Sequence, residues 1–506
     1  MAGSGPRDCE GAAGRDNIDS TDLASTVPIE FDCVEQAFTQ EVRAMTAIII
    51  GIIIILTFVG MVIYSIKGYN LVVGFFIMAT LWTILALIGN AITPTAITVK
   101  DQTGWQNILG VLTNVYQTGP ENYAKSILVN IFFGAFFGRV LMETGIAATL
   151  IRKVVELGGD RPRLTLVLLC IVTAVCFTSM TGIGPVISIA IIVMPILLAL
   201  GIPSAIALFA FMGSIMAGIL LNITNFKQYQ GILGGLRGEF LDKYDFNQYF
   251  PFGITAAAIA LVIVLVVANI ALRGKIQKAW AMPVIEEATD TNAPWYSWLA
   301  VIMPVVLVIT LHCPIILAFC LSAIYALLTC RKFRGGFTAV CRMIAKQFAD
   351  GAIDVAPMIG FLLTLSMFNN AAVYAAPYFK AIIGGIFPTS AIALCILFAI
   401  IVPLGFFRGP TNLVGSGTAI AAIVVTMASA ATGAPLWPIT LLYPLFAVAT
   451  IVPQHLDITQ SWVAWGLGYA KVGSKDYMRY SIPTGWITGA ILMLVILFWM
   501  GTRIAG

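Results

Sequence analysis

Long runs of apolar residues alternate with short polar gaps along most of the chain. The first run, residues 46–66 (TAIIIGIIIILTFVGMVIYSI), has the length of about 20 residues that a helix needs to cross the hydrocarbon core of a bilayer. The pattern therefore predicts an all-α polytopic membrane protein. Further membrane segments are predicted at 70–91, 126–151, 164–200, 203–222, 250–272, 296–311, 314–330, 351–380, 391–430, 437–453 and 481–501.

Two of these runs are too long, and too polar at their centres, for one plain helix. TSMTGIGP (178–185, the first break) lies inside 164–200, and FFRGPTNLVGSGT (406–418, the second break) lies inside 391–430. Lipid cannot satisfy the amide groups of an interrupted helix, so such a break must be buried in protein or line a wet cavity. We therefore expect broken or re-entrant helices that meet at the midplane of the bilayer.

Similar sequences recur at a fixed spacing in the two halves of the chain. PFGITAAAIALVIVLV from Pro251 lies 232 residues before PTGWITGAILMLVILF from Pro483, and Lys243 has the same spacing from Lys475. Several matches at one offset indicate a duplicated unit. The predicted organisation is an acidic, flexible tail (1–45), a first transmembrane repeat (46–273), a polar linker (274–295) and a second transmembrane repeat (296–503).

The charges of matched loops predict how the two repeats are oriented. The loop 152–163 carries four Lys and Arg residues, whereas its partner at 384–390 carries none. Conversely, 331–346 carries five, whereas its partner at 99–114 carries only Lys100. Basic loops favour the cytoplasmic side, so equivalent loops prefer opposite sides of the membrane. This predicts inverted-topology repeats, each with an odd number of crossings, and an N-terminus outside.

Composition excludes several classes of protein. Only 10% of the residues are charged and 59% are hydrophobic, whereas soluble domains are about 25% charged. The net charge of +4 combines an N-terminal segment, 1–45, that has nine carboxylates and three arginines with a thinly basic remainder. No basic stripe is present that would follow a nucleic acid. The nine cysteines form no CxxC pair, and the sequence has neither a P-loop nor an HExxH motif, so we expect no enzyme and no ATPase.

The second break has the residues expected of a carboxylate receptor. A glycine-rich break that opens a half-helix presents unpaired amide groups and a positive dipole end, and an arginine can add two parallel hydrogen bonds. The alternative is that the small residues only allow close helix packing while the arginine extends to the membrane interface. The candidate substrate-binding residues here are Arg408, Gly409, Thr411, Asn412, Gly415, Ser416 and Thr418.

The first break has no charge but offers hydroxyl groups and carbonyls. Ser179, Thr181 and Gly182 suit a substrate hydroxyl or a monovalent cation, and a simple proline kink is the alternative. Polar clusters also follow the apolar runs that lead out of the two breaks. We predict substrate binding by Asn222 and Asn225 and ion coupling by Thr224, Asp457 and His455, of which the last two would relay a proton. Ordinary polar loops are the alternative for these clusters.

One further pair of ionisable residues lies within an apolar run. Arg139 and Glu143 are four residues apart, so they share a helix face and can neutralise one another. Charged groups inside a membrane are functional candidates by default, and Glu143 is therefore a candidate for proton or sodium coupling. A structural ion pair near the end of the span is the equal alternative. Asp354 is expected at the membrane interface and His312 in a loop at a helix end.

Residues 46–503 resemble the ion transporter superfamily, most of all its gluconate permease, anaerobic four-carbon dicarboxylate carrier and citrate carrier branches. The resemblance rests on FFGRVLMETGIAATLIRKVVELGGDRP (136–162), on the two breaks and on residues 455–494. It implies re-entrant hairpins whose Ser, Thr and Asn tips bind organic anions, with coupling to protons or sodium. The Ser-Asn-Thr triplet of the sodium-coupled branch is absent from both breaks, which favours protons. The implied tips are Thr181, Gly182, Thr411, Asn412 and Ser416.

These observations together predict a proton-coupled symporter of a small hydroxy or carboxylic acid that works by alternating access. The alternative is a sodium/proton antiporter of the same superfamily. We expect no cofactor, with a bound sodium ion as the one open option, and a multi-pass location in the cytoplasmic or inner cell membrane. The expected partners are the organic anion, a proton or sodium ion and the lipid bilayer. We expect no nucleic acid partner, and a homodimer is an open alternative to a monomer.

Overall fold

A computed structural model describes most of the membrane part of the chain. It covers residues 23–67, 69–92, 104–159, 161–237, 244–276, 293–383, 388, 390–414, 417, 420–421, 424–425 and 437–504. Every regular element within these ranges is a helix. The all-α fold that the apolar runs predict is therefore confirmed.

The first half of the chain contributes eleven α-helices to the described fold. The helices α3, α4 and α5 follow one another without a loop, because the π-helical turns Asn114–Thr118 and Ala124–Leu128 join them. The bounds are α1 Leu23–Ile66, α2 Leu71–Ile92, α3 Gly104–Thr113, α4 Gly119–Tyr123, α5 Val129–Glu143, α6 Ile146–Gly158, α7 Pro162–Phe177, α8 Ile183–Ala199, α9 Ser204–Ile219, α10 Ile223–Arg237 and α11 Phe246–Ala271.

The second half contributes seven more α-helices to the described fold and includes the longest of them. Short 3₁₀ helices at Trp295–Trp298 and Lys332–Gly335 precede α12 and α14, and a third at Val402–Arg408 follows α15 directly. The bounds are α12 Leu299–Leu311, α13 Ile315–Thr329, α14 Phe337–Ile383, α15 Ala391–Ile401, α16 Ile439–Leu456, α17 Ser461–Tyr469 and α18 Ser474–Ile504.

Several helices are long and apolar enough to cross a membrane. Among the described residues there are seven such helices, or nine if each of two bent helix pairs counts as one span. The bent pairs are α5–α6, with an angle of 56°, and α9–α10, with an angle of 66°. The run 126–151, which its hydropathy presents as one segment, is therefore divided at Glu143. The molecule is a multi-pass membrane protein.

The helices α9 and α16 form the centre of the fold. All residues of α9 from Ile206 to Ile219 are buried, as are all residues of α16 from Leu441 to Leu456. The outer helices have exposed apolar faces, for example Leu56 on α1 and Phe498 on α18. In a bilayer such faces contact lipid, so their exposure involves no loss of hydrophobic stabilisation. The centre is the part of the molecule that can hold a site away from lipid.

The helical breaks that the sequence predicts are present. α7 ends at Phe177 and α8 starts at Ile183, so the first break interrupts the run 164–200. In the run 391–430, α15 is followed by a 3₁₀ helix that ends at Arg408, within the second break. The inverted relation of the two repeats and the proposed domain limits stay predictions. The helix α1 begins at Leu23, within the predicted acidic tail 1–45.

Candidate functional site

A cavity of about 310 Å³ lies where both breaks approach the bend between α9 and α10. Its polar lining comes from the first break, from α10, from the end of the 3₁₀ helix and from the junction of α16 with α17. The polar lining residues are Thr181, Asn225, Gln228, Arg408, Gln454, His455, Gln460 and Ser461. The aromatic and apolar lining is formed by Tyr69, Leu71, Val72, Ile219, Met358, Phe361, Val414 and Trp462.

Arg408 is held in a fixed direction at the wall of this cavity. Its Nη1 donates to the Val414 carbonyl oxygen at 3.2 Å, and its Nη2 donates to Gln460 Oε1. Phe407 and Arg408 have φ values of 58° and 60°, in the left-handed region that non-glycine residues rarely adopt. Each residue in that region costs on the order of 1–3 kcal/mol and persists only where its surroundings enforce it. The backbone thus ends the 3₁₀ helix with a strained turn that directs the guanidinium into the cavity.

The residues after Arg408 hold the second break in shape. Asn412 is fully buried, and its Oδ1 accepts from the Val414 amide at 2.8 Å while its Nδ2 donates to the Gly405 carbonyl oxygen at 3.3 Å. The Leu413 amide donates to Thr450 Oγ1 at 2.9 Å, which ties the break to α16. A side chain at Gly409 would place its Cβ 2.0 Å from the Leu404 carbonyl oxygen, so only glycine fits there.

The first break is held by a side chain from the bend between α9 and α10. Asn222 Nδ2 donates to the carbonyl oxygens of Phe177 and Met180 at 2.9 and 3.0 Å. These carbonyls lie where α7 ends and have lost their helical donors. The other amide atom, Asn222 Oδ1, accepts from the Asn225 backbone amide at 3.1 Å. Asn222 therefore supports the break, while Thr181 and Asn225 face the cavity.

A buried carboxylate lies behind Arg408, at the junction of α16 and α17. Asp457 is 1% exposed, and its two oxygens accept from the Thr459 amide at 3.0 Å and the Thr459 hydroxyl at 2.5 Å. The Arg408 guanidinium and the Asp457 carboxylate attract one another. His455 lies two residues before Asp457, in the last turn of α16. Its ring centroid is 5.4 Å from that of Trp462, and its Nδ1 is 2.9 Å from the Ile451 carbonyl oxygen.

Two polar atoms of the cavity lining are buried without a hydrogen-bond partner in the described part of the chain. They are Gln454 Oε1, an acceptor, and Trp462 Nε1, a donor. Gln454 is 6% exposed and lines the same cavity. A buried polar atom without a partner costs about 1–3 kcal/mol, so such an atom usually forms its hydrogen bond with a ligand or with water. Both atoms are therefore suited to receive a bound molecule.

The predicted site residues that the structure describes lie at the cavity, in the scaffold of the two breaks and, for Glu143, at the end of α5. Arg408, Thr181, Asn225 and His455 line the cavity, and Asp457 lies behind its wall. A second group is buried in the scaffold of the two breaks. This group comprises Asn222, Asn412, Gly409, Thr411, Gly182 at the start of α8, Thr224 against Gly134 of α5, and Ser179, whose hydroxyl donates to the Val301 carbonyl oxygen at 2.7 Å. Gly415, Ser416 and Thr418 lie outside the described residues.

Glu143 does not line the cavity. It lies at the C-terminal end of α5, where it accepts from Gln347 Nε2 at 3.3 Å and lies 3.9 Å from Lys332 Nζ. Arg139 does not pair with Glu143, as their spacing of four residues suggests, but with Asp354 of α14. Its Nε and Nη2 donate to the two carboxylate oxygens at 2.6 and 2.5 Å. The side chain of Asp354 is only 9% exposed, which makes it a packed group between helices.

Some cavity residues are not evident from the sequence. Gln228 belongs to a run of polar residues on α10 (Thr224 to Gln230), which is unusual for a helix of this hydrophobic protein and is the signal that could have identified it. Gln460 lies in the polar cluster that follows α16, next to Asp457. Tyr69 and Phe361 carry no such signal, because aromatic residues in apolar runs are usually core residues.

The fold has solved counterparts, although no family model matches the sequence and no curated protein was found to match it. The YdaH transporter of Alcanivorax borkumensis superimposes with a TM-score of 0.61 at 13% identity, over 86% of this chain and 99% of that chain. MtrF of Neisseria gonorrhoeae, described as illuminating a class of antimetabolite efflux pumps, superimposes with a TM-score of 0.58 at 13% identity, over 84% and 94% of the two chains. This chain shares the fold of these two transporters.

The shared fold confirms the predicted all-helical architecture with broken helices. It also agrees with the transporter character of the resemblance found in the sequence. Membership of the ion transporter superfamily, and of any one branch, stays a prediction. At 13% identity the likeness concerns the fold, so the substrate and the coupling ion must be argued from the site.

Proposed function

We propose that the protein is an ion-coupled secondary transporter of a small organic anion and that it works by alternating access. The observation that carries this proposal is the Arg408 guanidinium at the wall of a cavity between two helix breaks. A buried charge is costly unless it is paired, and a guanidinium binds a carboxylate through two parallel hydrogen bonds. Closure of either side around such a central site is the usual plan of secondary transporters.

We infer that proton symport is the coupling mode, with Asp457 as the proton-binding group. The carboxylate of Asp457 compensates the charge of Arg408 while no substrate is bound. An organic anion at Arg408 replaces that compensation, and the charge of the buried Asp457 is then held only by neutral hydrogen-bond donors such as those of Thr459. A proton on Asp457 removes this penalty, so the anion and the proton bind favourably together. Among the described residues, His455 and Tyr229 interact electrostatically with Arg408, and Tyr477 interacts with Asp457.

Proteoliposomes that contain a pH-sensitive dye test the proposed function. We expect protein-dependent proton movement only when a small organic acid anion such as gluconate is supplied, with or without sodium. The efflux role described for MtrF makes it necessary to test both directions of the anion gradient. Sodium-driven proton movement without an anion would instead support the antiporter reading. Anion movement that requires sodium and moves no protons would retain the transporter and reject proton coupling.

A further inference from the structure

The charge around the cavity limits the charge of its ligand. Among the described lining residues, Arg408 is the only one with a permanent positive charge. The sequence that continues from it, residues 409–436, contains no Lys or Arg. Asp457 behind the cavity wall is the described carboxylate that interacts electrostatically with Arg408. With His455 neutral, the described lining therefore offers one unit of positive charge, and offers it in full only when Asp457 is protonated.

The rest of the polar lining is made of neutral groups. It consists of amides and hydroxyls together with the imidazole of His455, and these groups, when neutral, offer hydrogen bonds without compensating a second negative charge. Within the described residues Gln454 Oε1 is an acceptor with no donor, and a carboxylate cannot supply one. Trp462 Nε1 is a donor with no acceptor. The ligand atom that completes Gln454 Oε1 must therefore belong to a donor group such as a hydroxyl or a carboxamide, whereas Trp462 Nε1 can donate to any acceptor atom of the ligand.

We propose that the site selects monovalent carboxylates whose remaining polar groups are neutral hydrogen-bonding groups. In the bound state the carboxylate lies on Arg408, and a hydroxyl or carboxamide reaches Gln454 and Trp462. This inference rests on the proposed function and names its substrate class. Dicarboxylates and tricarboxylates are disfavoured, because their additional charge would be buried among neutral groups, with no second permanent cation among the described lining residues to pair it.

Pairs of acids that differ in one group test this directly by binding to the purified, full-length protein in detergent. Gluconate and glucarate have the same six-carbon chain, and succinamate and succinate differ by an amide in place of a carboxylate. We expect gluconate and succinamate to bind at least about 100-fold more tightly than their dianionic partners, as measured by isothermal titration calorimetry at one pH. Equal or tighter binding of glucarate and succinate would overturn the inference.

The neutral contacts are tested with hexanoate, which has the carboxylate and the length of gluconate but no hydroxyl groups. We expect gluconate to bind more tightly than hexanoate, and Gln454→Met to reduce this ratio by about tenfold. An unchanged ratio in a folded variant would contradict the role assigned to Gln454. A lysine in the cavity would add a cation that can pair with the second carboxylate of a dianion. Gln454→Lys is therefore expected to strengthen glucarate binding at least about tenfold. If Gln454→Lys does not fold, Gln228→Lys places a cation in the same cavity and is tested in the same way with glucarate.

These outcomes distinguish failure of the inference from failure of the proposed function. If dianions bind best and Arg408→Gln abolishes their binding, the site is an anion site but the monovalent selectivity is wrong. If none of the five acids binds and Arg408→Gln changes nothing, both the selectivity and the proposed function are wrong.

Discussion

At the scale of single residues, the account depends on Arg408 and on the strained turn that directs it. Its position in an apolar run made it identifiable from the sequence. Its partners were harder to foresee, because Gln460 lies 52 residues away along the chain and Val414 contributes only a backbone carbonyl. Residue type and hydropathy identify a charged side chain inside an apolar run. Its hydrogen-bond partners depend on how distant segments of the chain fold together.

Replacing Arg408 by Gln should weaken binding of a monovalent hydroxy acid such as gluconate by about 100-fold, since charge-assisted hydrogen bonds contribute roughly 1.5–3 kcal/mol each. Arg408→Lys keeps the charge but cannot form two parallel bonds, so it should retain an intermediate affinity. Calorimetry measures both affinities, and thermal unfolding checks that the variants are folded. Wild-type affinity in the Gln variant would refute the assignment.

Replacing Asp457 by Asn should separate anion binding from proton movement. The neutral amide resembles the protonated carboxyl, so gluconate should still bind, and its affinity should depend less on pH than in the wild-type protein. The pH-sensitive dye should then report no anion-dependent proton movement. Glu143→Gln is the matched control, because this carboxylate lies outside the cavity. Loss of proton coupling in Glu143→Gln, with coupling retained in Asp457→Asn, would reverse the two roles.

At the scale of helices, the ion pair between Arg139 and Asp354 joins α5 to α14 at the start of α8. A Cβ atom at Gly184 would lie 2.1 Å from Asp354 Oδ2, so this carboxylate packs directly against the first turn of α8. The first break precedes that turn, and its Thr181 lines the cavity. The sequence could not predict the pair, because its members are 215 residues apart and a nearer carboxylate, Glu143, offered a simpler partner.

Breaking this pair should destabilise the protein more than removing Glu143. Loss of one partner costs roughly 3–5 kcal/mol for a fully buried pair and up to about 1 kcal/mol for an exposed one. Asp354 is 9% exposed and Arg139 is 26% exposed, so we expect a cost of about 2 kcal/mol for Arg139→Gln. Glu143→Gln, at a side chain that is 43% exposed, should change stability by less than about 0.5 kcal/mol. Equilibrium unfolding in detergent compares them, and equal effects would contradict a structural role of the Arg139–Asp354 pair.

The breaks themselves were predictable because Gly, Pro, Thr and Asn stand where a plain span would have Leu and Val. The roles of the side chains in them were not. Asn222 and Asn412 have the same polar character as Asn225, yet both are used to satisfy backbone groups of the breaks. Which amide faces the cavity and which supports the backbone depends on the bend angle and the local turn. Sequence pattern does not determine these features.

At the scale of the whole molecule, the charge pattern predicts the orientation in the membrane. Two contacts place basic residues against helices: Lys332 Nζ, in the basic segment 331–346, lies 3.9 Å from Glu143 Oε1 of α5, and Lys275 Nζ, just after α11, lies 3.4 Å from the Tyr480 hydroxyl of α18. We predict that the loops 152–163 and 331–346 are both cytoplasmic and that 384–390 is external. Single cysteines in these loops of a cysteine-free variant, treated with an impermeant thiol reagent in intact cells, should label only at 384–390. Labelling of all three loops from one side would contradict the inverted repeats.

The central claim is that a carboxylate binds at Arg408 between the two breaks, and an experimental structure with a bound monocarboxylate tests it most directly. With gluconate present, the account predicts that the carboxylate accepts hydrogen bonds from the Arg408 guanidinium and that a ligand hydroxyl lies within hydrogen-bonding distance of Gln454 Oε1. Gluconate bound elsewhere, with Arg408 still donating to Gln460 and Val414 and making no contact with the ligand, would contradict it.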